Sequence, residues 1–212
     1  MIDVEQARQL YQDNDSAHGF DHVRRVWRLA LRIGASEGAD AEIVSAAALL
    51  HDAGRARQDE TGLCHARLGA QIARKVLEGH PPDRVEAVAQ AIEQHRFRSS
   101  NPPSSIEARV LFDADKLDAM GASGVARAYA LAGARRQRLW ARVEPGYAER
   151  APEQGHADLG ADGHTPVHEY LFKLVKLRDR MLTETGRDMA QERHEFMAQF
   201  FAQLEQEVEG PI

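Results

Sequence analysis

The sequence predicts an all-α protein, and three observations support this prediction. Ala, Leu, Glu, Arg and Gln are abundant, aromatic residues make up only 6% of the chain, and runs of β-branched residues are scarce. Intrinsic propensity therefore favours helix almost everywhere outside the loops. At 212 residues the chain can bury a substantial core and lies within the usual range of one domain. We expect a single-domain helical bundle over residues 1–212.

The first half of the chain contains helices separated by polar or glycine-containing breaks. Apolar residues recur at helical spacing from Phe20 to about Gly38. Asp40 can cap the next segment, AEIVSAAALLHDAG, whose small and apolar residues predict a helix that is buried centrally and ends at Gly54. Three further helices are predicted in this half, over residues 3–12, 64–78 and 83–95.

The second half begins with Ser104-x-x-Glu107, a spacing that predicts a capped helix through IEARVLFDADKLDAM. Residues 142–164 mix Gly, Pro and charge without apolar periodicity, which predicts an irregular loop. Helices are also expected over residues 122–135, from Thr165-Pro166 to about Gly186, and over residues 187–208. The aromatic residues expected in the core are Phe20, Trp27, Phe172, Phe196 and Phe200.

Composition limits the class of partner and the compartment. The net charge of -6 gives no general attraction for nucleic acid or anionic membranes. Cys64 is the only cysteine, which excludes an intrachain disulfide and a cysteine-rich zinc site. The chain begins without a signal-peptide pattern, and no apolar stretch approaches the roughly 18 residues of a membrane span. We expect a cytoplasmic protein with no membrane association and no stable nucleic-acid complex.

The dipeptide His51-Asp52 stands at the end of a very apolar helix, AAALLHD. Two ionisable side chains there would be costly to desolvate unless they were paired, hydrogen-bonded or bound to metal. Successive helical residues point about 100° apart, so the two side chains cannot share a helix face. They can straddle a metal ion near the helix end.

Other metal-ligating residue types lie before and after this pair. HGFDH places His18 and His22 one helical turn apart, where both could meet a common ligand. FDADKLDAM puts Asp113, Asp115 and Asp118 into an otherwise apolar helix. Two histidines and two aspartates suit a divalent Mn, Fe, Ni, Co or Zn ion, with Mg less suited to imidazole.

The ordered set His22, His51-Asp52 and Asp115 resembles the H…HD…D signature of the HD superfamily, whose members are helical and mostly hydrolyse phosphate esters or nucleotides. The similarity extends along most of the chain. Five segments of the chain resemble one bacterial subgroup of stand-alone HD hydrolases, which includes nucleotide pyrophosphohydrolases. These segments are HGFDHVRRV, AAALLHDAGR, AIEQHRF, EARVLFDADKLDAMGASGVARAY and KLVKLRDRMLTETGRDMAQERHEFM.

The resemblance implies a divalent metal held by His22, His51, Asp52 and Asp115, with positions left open for water and substrate. Metal-bound hydroxide would then attack phosphorus, and Asp52 would orient the water as well as bind the metal. Lys116 and Asp118 are further catalytic candidates, the first neutralising phosphate charge and the second positioning a ligand or accepting a proton. The substrate-binding candidates are His18, Arg24, Arg55 and His95.

Other histidines carry weaker predictions. His65 could equally be an exposed helix residue or part of the site. His156, His164 and His168 lie in or beside the predicted loop, and exposure is the default expectation for all three.

Two functional hypotheses follow. The favoured one is a metal-dependent phosphohydrolase whose partner is a small phosphorylated substrate, a nucleotide or a related molecule. The alternative is a sensory protein that binds metal and nucleotide without turnover. A helical bundle without any site is disfavoured because it leaves buried ionisable groups without a common partner. The sequence leaves the oligomeric state open and is compatible with a homodimer.

Overall fold

The computed structural model describes residues 1–11, 19–96, 102–147, 149 and 163–210. Over these ranges every regular element is helical, which confirms the all-α prediction. The α-helices are α1 (Val4–Arg8), α2 (Phe20–Glu37), α3 (Ala41–Leu50), α4 (Gln58–Thr61), α5 (His65–Val76), α6 (Pro82–Gln94), α7 (Ile106–Asp118), α8 (Gly121–Ala134), α9 (Pro166–Phe172) and α10 (Glu184–Glu209), with 3-10 helices over Arg55–Arg57 and Leu174–Arg180.

The chain groups into two compact units. The first contains Met1–Lys116 and Leu182–Gly186, and the second contains Leu117–Met181 and Arg187–Ile212. The sequence predicted one domain over residues 1–212, and this stays a prediction. None of the helices in the described ranges is both long enough and apolar enough to cross a membrane.

Helix α3 forms the centre of the first unit and packs against α2, α5 and α6. Val44 and residues 46–50 of this helix are all buried, as the apolar pattern predicted. Asp40 caps it by accepting hydrogen bonds from the amides of Glu42 and Ile43. Residues 46–48 are three buried alanines, whose small side chains leave room for neighbouring helices to approach closely.

Gly54 has a different role from the predicted one, because α3 already ends at Leu50. The φ of Gly54 is -85°, so no left-handed cap is formed there. A Cβ atom at Gly54 would lie 2.5 Å from the Leu68 Cβ and 2.6 Å from the Gly69 amide nitrogen. Glycine is needed because α5 crosses this turn closely, and the crossing brings the start of α5 beside the end of α3.

Helix α7 begins at Ile106, where the predicted segment begins, but the predicted capping residue was wrong by one position. The Ser105 hydroxyl, not that of Ser104, accepts the hydrogen bond of the Ala108 amide. Ser104 instead donates from its backbone and its hydroxyl to the Gln94 side chain. The Glu107 carboxylate accepts a hydrogen bond from the amide of Asp40, the capping residue of α3. It therefore does not form the predicted capping box of α7.

The long helix predicted from Thr165 to Gly186 was also wrong. Helix α9 ends at Phe172, a 3-10 helix follows, and α10 begins at Glu184. The buried Asp113 carboxylate accepts hydrogen bonds from the amides of Leu182 and Thr183 and from the Thr183 hydroxyl. The same hydroxyl accepts from the Gly186 amide, so Thr183 caps α10.

In the second unit, α8 packs against α9, and the Tyr170 ring stacks on Phe201 with the ring centroids 4.2 Å apart. Met197 is fully buried on α10. Phe196 is 45% exposed, which contradicts its predicted place in the core. Its neighbour Met197 occupies the buried position of that turn, because successive helical residues point about 100° apart.

Candidate metal centre

The His51-Asp52 pair lies in the turn directly after α3, with His51 0% and Asp52 2% exposed. His51 Nδ1 lies 2.8 Å from the carbonyl oxygen of Ala48. A carbonyl oxygen can only accept, so Nδ1 carries the proton and Nε2 carries the lone pair. This lone pair faces the remaining predicted ligands.

The four predicted metal ligands meet at one place. His22, in the first turn of α2, has its Nε2 atom 3.3 Å from His51 Nε2 and 3.7 Å from Asp52 Oδ2. Its Nε2 also lies 3.5 Å from Asp115 Oδ1 on α7. These carboxylate oxygens and imidazole nitrogens surround one point, and a cation at that point could bind all of them. Their residue types fit a divalent ion of the Mn, Fe, Co, Ni or Zn class.

Two more histidines face the other carboxylate oxygen of Asp52. His65 Nε2 lies 3.7 Å from Asp52 Oδ1, and the ring centroid of His95 lies 5.2 Å from that of His51. Among the described residues, Asp52 Oδ1 is buried without a hydrogen-bond partner. His22, His51 and Asp52 form one group whose ligand atoms lie within 4.8 Å of one another, and Asp52, His65 and His95 form a second.

The orientation of His65 and His95 is fixed in the same manner as that of His51. His65 Nδ1 lies 2.8 Å from the Gln58 side-chain oxygen, and His95 Nδ1 lies 2.5 Å from the Ile92 carbonyl oxygen. Each Nδ1 proton is therefore donated away from the cluster, and each Nε2 is left as an acceptor. Metal-ligating histidines are held by this type of hydrogen bond.

The ionisation of the cluster suits a cation. Burial lowers the pKa of all three buried histidines. The pKa of His51 lies below its ordinary value, that of His65 is about 4 and that of His95 is about 3, so their imidazoles are neutral at pH 7. Burial alone would raise the pKa of Asp52, but His51 and Arg55 hold it below its ordinary value. Asp115 is likewise held well below its ordinary pKa, against the effect of burial, chiefly by Lys116.

Two of the three predicted cationic residues, Arg55 and Lys116, contact the carboxylates of the cluster. Arg55 Nε donates to Asp52 Oδ2 at 2.8 Å. Lys116 Nζ lies 2.5 Å from Asp115 Oδ2 and donates to the His95 carbonyl at 3.3 Å. In this arrangement both cations hold carboxylate oxygens in place. Their contacts with phosphate stay predictions.

The other predicted residues are less closely tied to the cluster. Asp118 is buried at the end of α7 and belongs to the second unit, and its catalytic role stays a prediction. Arg24 is exposed on α2, and its role in substrate binding also stays a prediction. His18 lies outside the described residues. The Asp113 carboxylate accepts hydrogen bonds from Leu182 and Thr183, the two residues before α10.

Sequence reasoning gave His65 no firm place in the site and missed Gln58 entirely. His65 is 8% exposed at the start of α5. The signal that could have found it is the pair Gly54 and Gly69, since glycines at facing positions indicate a close helix approach. A Cβ atom at Gly69 would lie 2.8 Å from the His51 carbonyl oxygen, so α5 passes directly over the His51-Asp52 turn.

A second group of buried histidines lies in the other unit. His164 and His168 were expected to be exposed, but they are only 6% and 3% exposed. His164 Nδ1 lies 3.3 Å from the Tyr147 hydroxyl, and His168 Nδ1 lies 2.8 Å from the Thr165 hydroxyl. Over the described ranges, the groups with metal-ligand spacing all belong to the first unit. His156 lies outside those ranges.

The chain is similar to known proteins over nearly its whole length. The HD domain family matches residues 19–120. YpgQ of Bacillus subtilis is 35% identical over 222 aligned positions, which cover 99% of this chain and 97% of YpgQ. The crystal structure of YpgQ in complex with ADP is 34% identical, with a TM-score of 0.70 over 98% of this chain and 99% of that one.

A predicted HD superfamily hydrolase from an uncultured Thermotogales bacterium is 28% identical, with a TM-score of 0.67 over 97% of this chain and 90% of that one. HD domains bind divalent metals, and the histidines and aspartates around Asp52 are positioned to hold one. The chain therefore belongs to the HD superfamily of metal-dependent phosphohydrolases.

Proposed function

We propose that the protein hydrolyses a phosphoanhydride or phosphate ester of a nucleotide or a related small molecule. The divalent cation is held by His22, His51, Asp52 and Asp115. The observation that carries this proposal is the direction of the imidazole lone pairs. Buried neutral histidines point their Nε2 atoms at Asp52, whose Oδ1 atom lacks a partner among the described residues. Such a group needs a ligand, because unpaired buried acceptors are costly.

A cation bound there supplies Lewis acidity, which lowers the pKa of water and polarises a phosphoryl oxygen. The protein itself orients the nucleophile. Asp52 Oδ1, His65 Nε2 and His95 Nε2 are all acceptors, and His65 Nε2 and Asp52 Oδ1 are 3.7 Å apart. A water molecule between them can donate its protons to the Asp52 carboxylate and to an imidazole, which leaves an oxygen lone pair for attack at phosphorus.

The nucleotide part of the proposal is supported by a similar protein. YpgQ, which matches this chain along almost its full length, has been crystallised with ADP. Arg55 and Lys116 add positive charge beside the two carboxylates, and their side chains are 33% and 13% exposed. This exposure supports a role for both cations in binding anionic oxygens that approach the cluster.

Hydrolysis and simple binding are separated by product analysis. Metal-free protein is reloaded with Mn, Co, Ni or Mg and incubated with nucleoside triphosphates, nucleoside monophosphates and a generic phosphomonoester. Phosphorus NMR identifies the products. Pyrophosphate release identifies a nucleotide pyrophosphohydrolase, and inorganic phosphate identifies a phosphatase. Asp52→Ala should be inactive with every metal.

A stoichiometric nucleotide complex that persists without turnover under all four metals would reject the catalytic proposal in favour of the sensory alternative. Asp40→Ala is a suitable control, because this aspartate caps the other end of α3 and lies outside the cluster.

A further inference from the structure

Helix α1 and the residues after it lie outside the part of the chain that matches the HD domain family, which begins at residue 19. Ala7 of this helix and Tyr11, three residues after it, nevertheless pack against α2 and α3, which lead to three of the proposed ligands. Ala7 is buried in one cluster with Phe20, Val23 and Leu49, which belong to α2 and α3. Tyr11 is among the partly buried residues packed against this cluster.

The Tyr11 hydroxyl reaches the end of α3. It donates to the Leu49 carbonyl oxygen at 2.8 Å and also interacts with the backbone amide of Asp52. The carbonyls in the last turn of a helix lose their usual partners. The Ala53 amide bonds to the carbonyl of Leu50, so the turn after α3 is tighter than the helix itself. Tyr11 thus joins both sides of the turn that holds His51 and Asp52.

The ring of the same tyrosine contacts the helix that bears His22. The ring centroids of Tyr11 and Phe20 are 5.5 Å apart. Phe20 is the first residue of α2, two positions before His22, and it is only 3% exposed. One side chain therefore contacts the first residue of α2, two positions before His22, and the final turn of α3, directly before His51 and Asp52.

We propose that Tyr11 is a positioning residue for the metal centre, which fixes the distance between His22 and the His51-Asp52 pair. This inference rests on the metal site of the proposed function. The hydroxyl holds the last turn of α3 through the Leu49 carbonyl, and the ring packs against Phe20 at the start of α2. The Leu49 carbonyl oxygen can only accept, so the Tyr11 hydroxyl is the donor in this hydrogen bond.

The test compares Tyr11→Phe with Trp27→Phe. Tyr11→Phe keeps the ring on Phe20 and removes only the hydroxyl. Trp27→Phe is the matched control, because it removes the hydrogen bond of 2.8 Å from Trp27 Nε1 to the Ser45 hydroxyl, which also joins α2 to α3. The dissociation constant of Mn²⁺ is measured from the electron paramagnetic resonance signal of the free ion, and the Tm is measured on the metal-free proteins.

Tyr11→Phe should weaken Mn²⁺ binding by about tenfold or more, the range found for residues that orient metal ligands. Trp27→Phe should lower the Tm by about as much as Tyr11→Phe does, but it should leave the Mn²⁺ affinity unchanged. Unchanged Mn²⁺ affinity in Tyr11→Phe, or an equal loss in both variants, would reject the positioning role and leave the proposed function intact. A wild-type protein that binds no Mn²⁺ would reject both.

Discussion

Each of the two units contains a group of buried histidines, and the two groups differ in where their ring nitrogens point. In the first unit, His51 and His95 donate Nδ1 protons to backbone carbonyls and direct Nε2 inwards. In the second unit, His164 and His168 place Nδ1 against hydroxyl groups of Tyr147 and Thr165. A hydroxyl can donate or accept, so it satisfies either tautomer.

The second difference lies in the carboxylates. Asp52 and Asp115 both approach His22 within 3.7 Å and 3.5 Å. In the second unit, the Glu169 carboxylate lies 3.5 Å from His164 Nε2, and no group of the described residues there has the spacing of metal ligands. Burial of a histidine is therefore a poor indicator of a metal site. The useful indicators are convergent lone pairs and more than one carboxylate.

The largest expected effect contrasts the same substitution in the two groups. His51→Gln should lower kcat/KM on the order of 10³-fold or more, because a ligand of the cation is lost. His168→Gln should leave both kcat/KM and Mn²⁺ affinity unchanged. Steady-state hydrolysis and Mn²⁺ titration check this. Equal losses in the two variants would show that the second unit also contributes to the site.

A similar contrast exists between two aspartates of α7. Asp113→Ala should reduce the free energy of unfolding by about 3–5 kcal/mol, since three donors from Leu182 and Thr183 lose a buried carboxylate. Asp115→Ala should mainly abolish Mn²⁺ binding, with a smaller effect on the metal-free protein. Urea denaturation of both metal-free variants measures this, and equal destabilisation would contradict it.

Replacing two glycines by alanine should change the stability of the protein in opposite directions. Gly69→Ala brings a methyl group within 2.8 Å of the His51 carbonyl oxygen, so we expect a loss of about 1–3 kcal/mol from overpacking. A Cβ atom at Gly133, on α8, meets nothing within 4 Å. Gly133→Ala should stabilise the protein by about 0.5–1 kcal/mol. Thermal unfolding of the metal-free proteins measures the stability of both variants against the wild type. A Gly69→Ala variant as stable as the wild type would contradict the overpacking and show that α5 can move.

The smallest expected effect is a pH dependence in the second unit. Burial lowers the pKa of His168 from 6.5 to about 4, with a further contribution from His164. The unfolded chain therefore binds a proton at higher pH than the folded one, and stability from this group is complete above about pH 6.5 and lost towards pH 4. His168→Gln should make the decrease of unfolding free energy over this range less steep, and an unchanged slope would contradict the assignment.

Local patterns predicted much of the first unit. The cap at Asp40 and the end of α2 at Gly38, whose φ is 71°, depend on neighbouring residues in the sequence. The sequence also indicated that His22, His51, Asp52 and Asp115 would share a site, and the structure brings them together. Their binding of metal stays a prediction.

What the sequence did not predict depends on contacts between distant residues. Asp113 caps residues 70 positions later in the chain, and Tyr11 bonds to a carbonyl 38 positions later. Helical periodicity indicates which face of one helix is apolar, but it does not identify the distant residue that a buried carboxylate will contact. His65 is an example, because its burial depends on the close crossing at Gly54 and Gly69 and not on the pattern of its own helix.

The contact of Asp113 with Thr183 has a consequence during synthesis of the protein. A ribosome that adds about 5–20 residues per second needs roughly 4 to 14 seconds to pass from one residue to the other. Until then, the donors from Leu182 and Thr183 to the Asp113 carboxylate have not been synthesised. The hydrogen bonds that join the helix of Asp115 to residues 182 and 183 can therefore form only after most of the chain has been made.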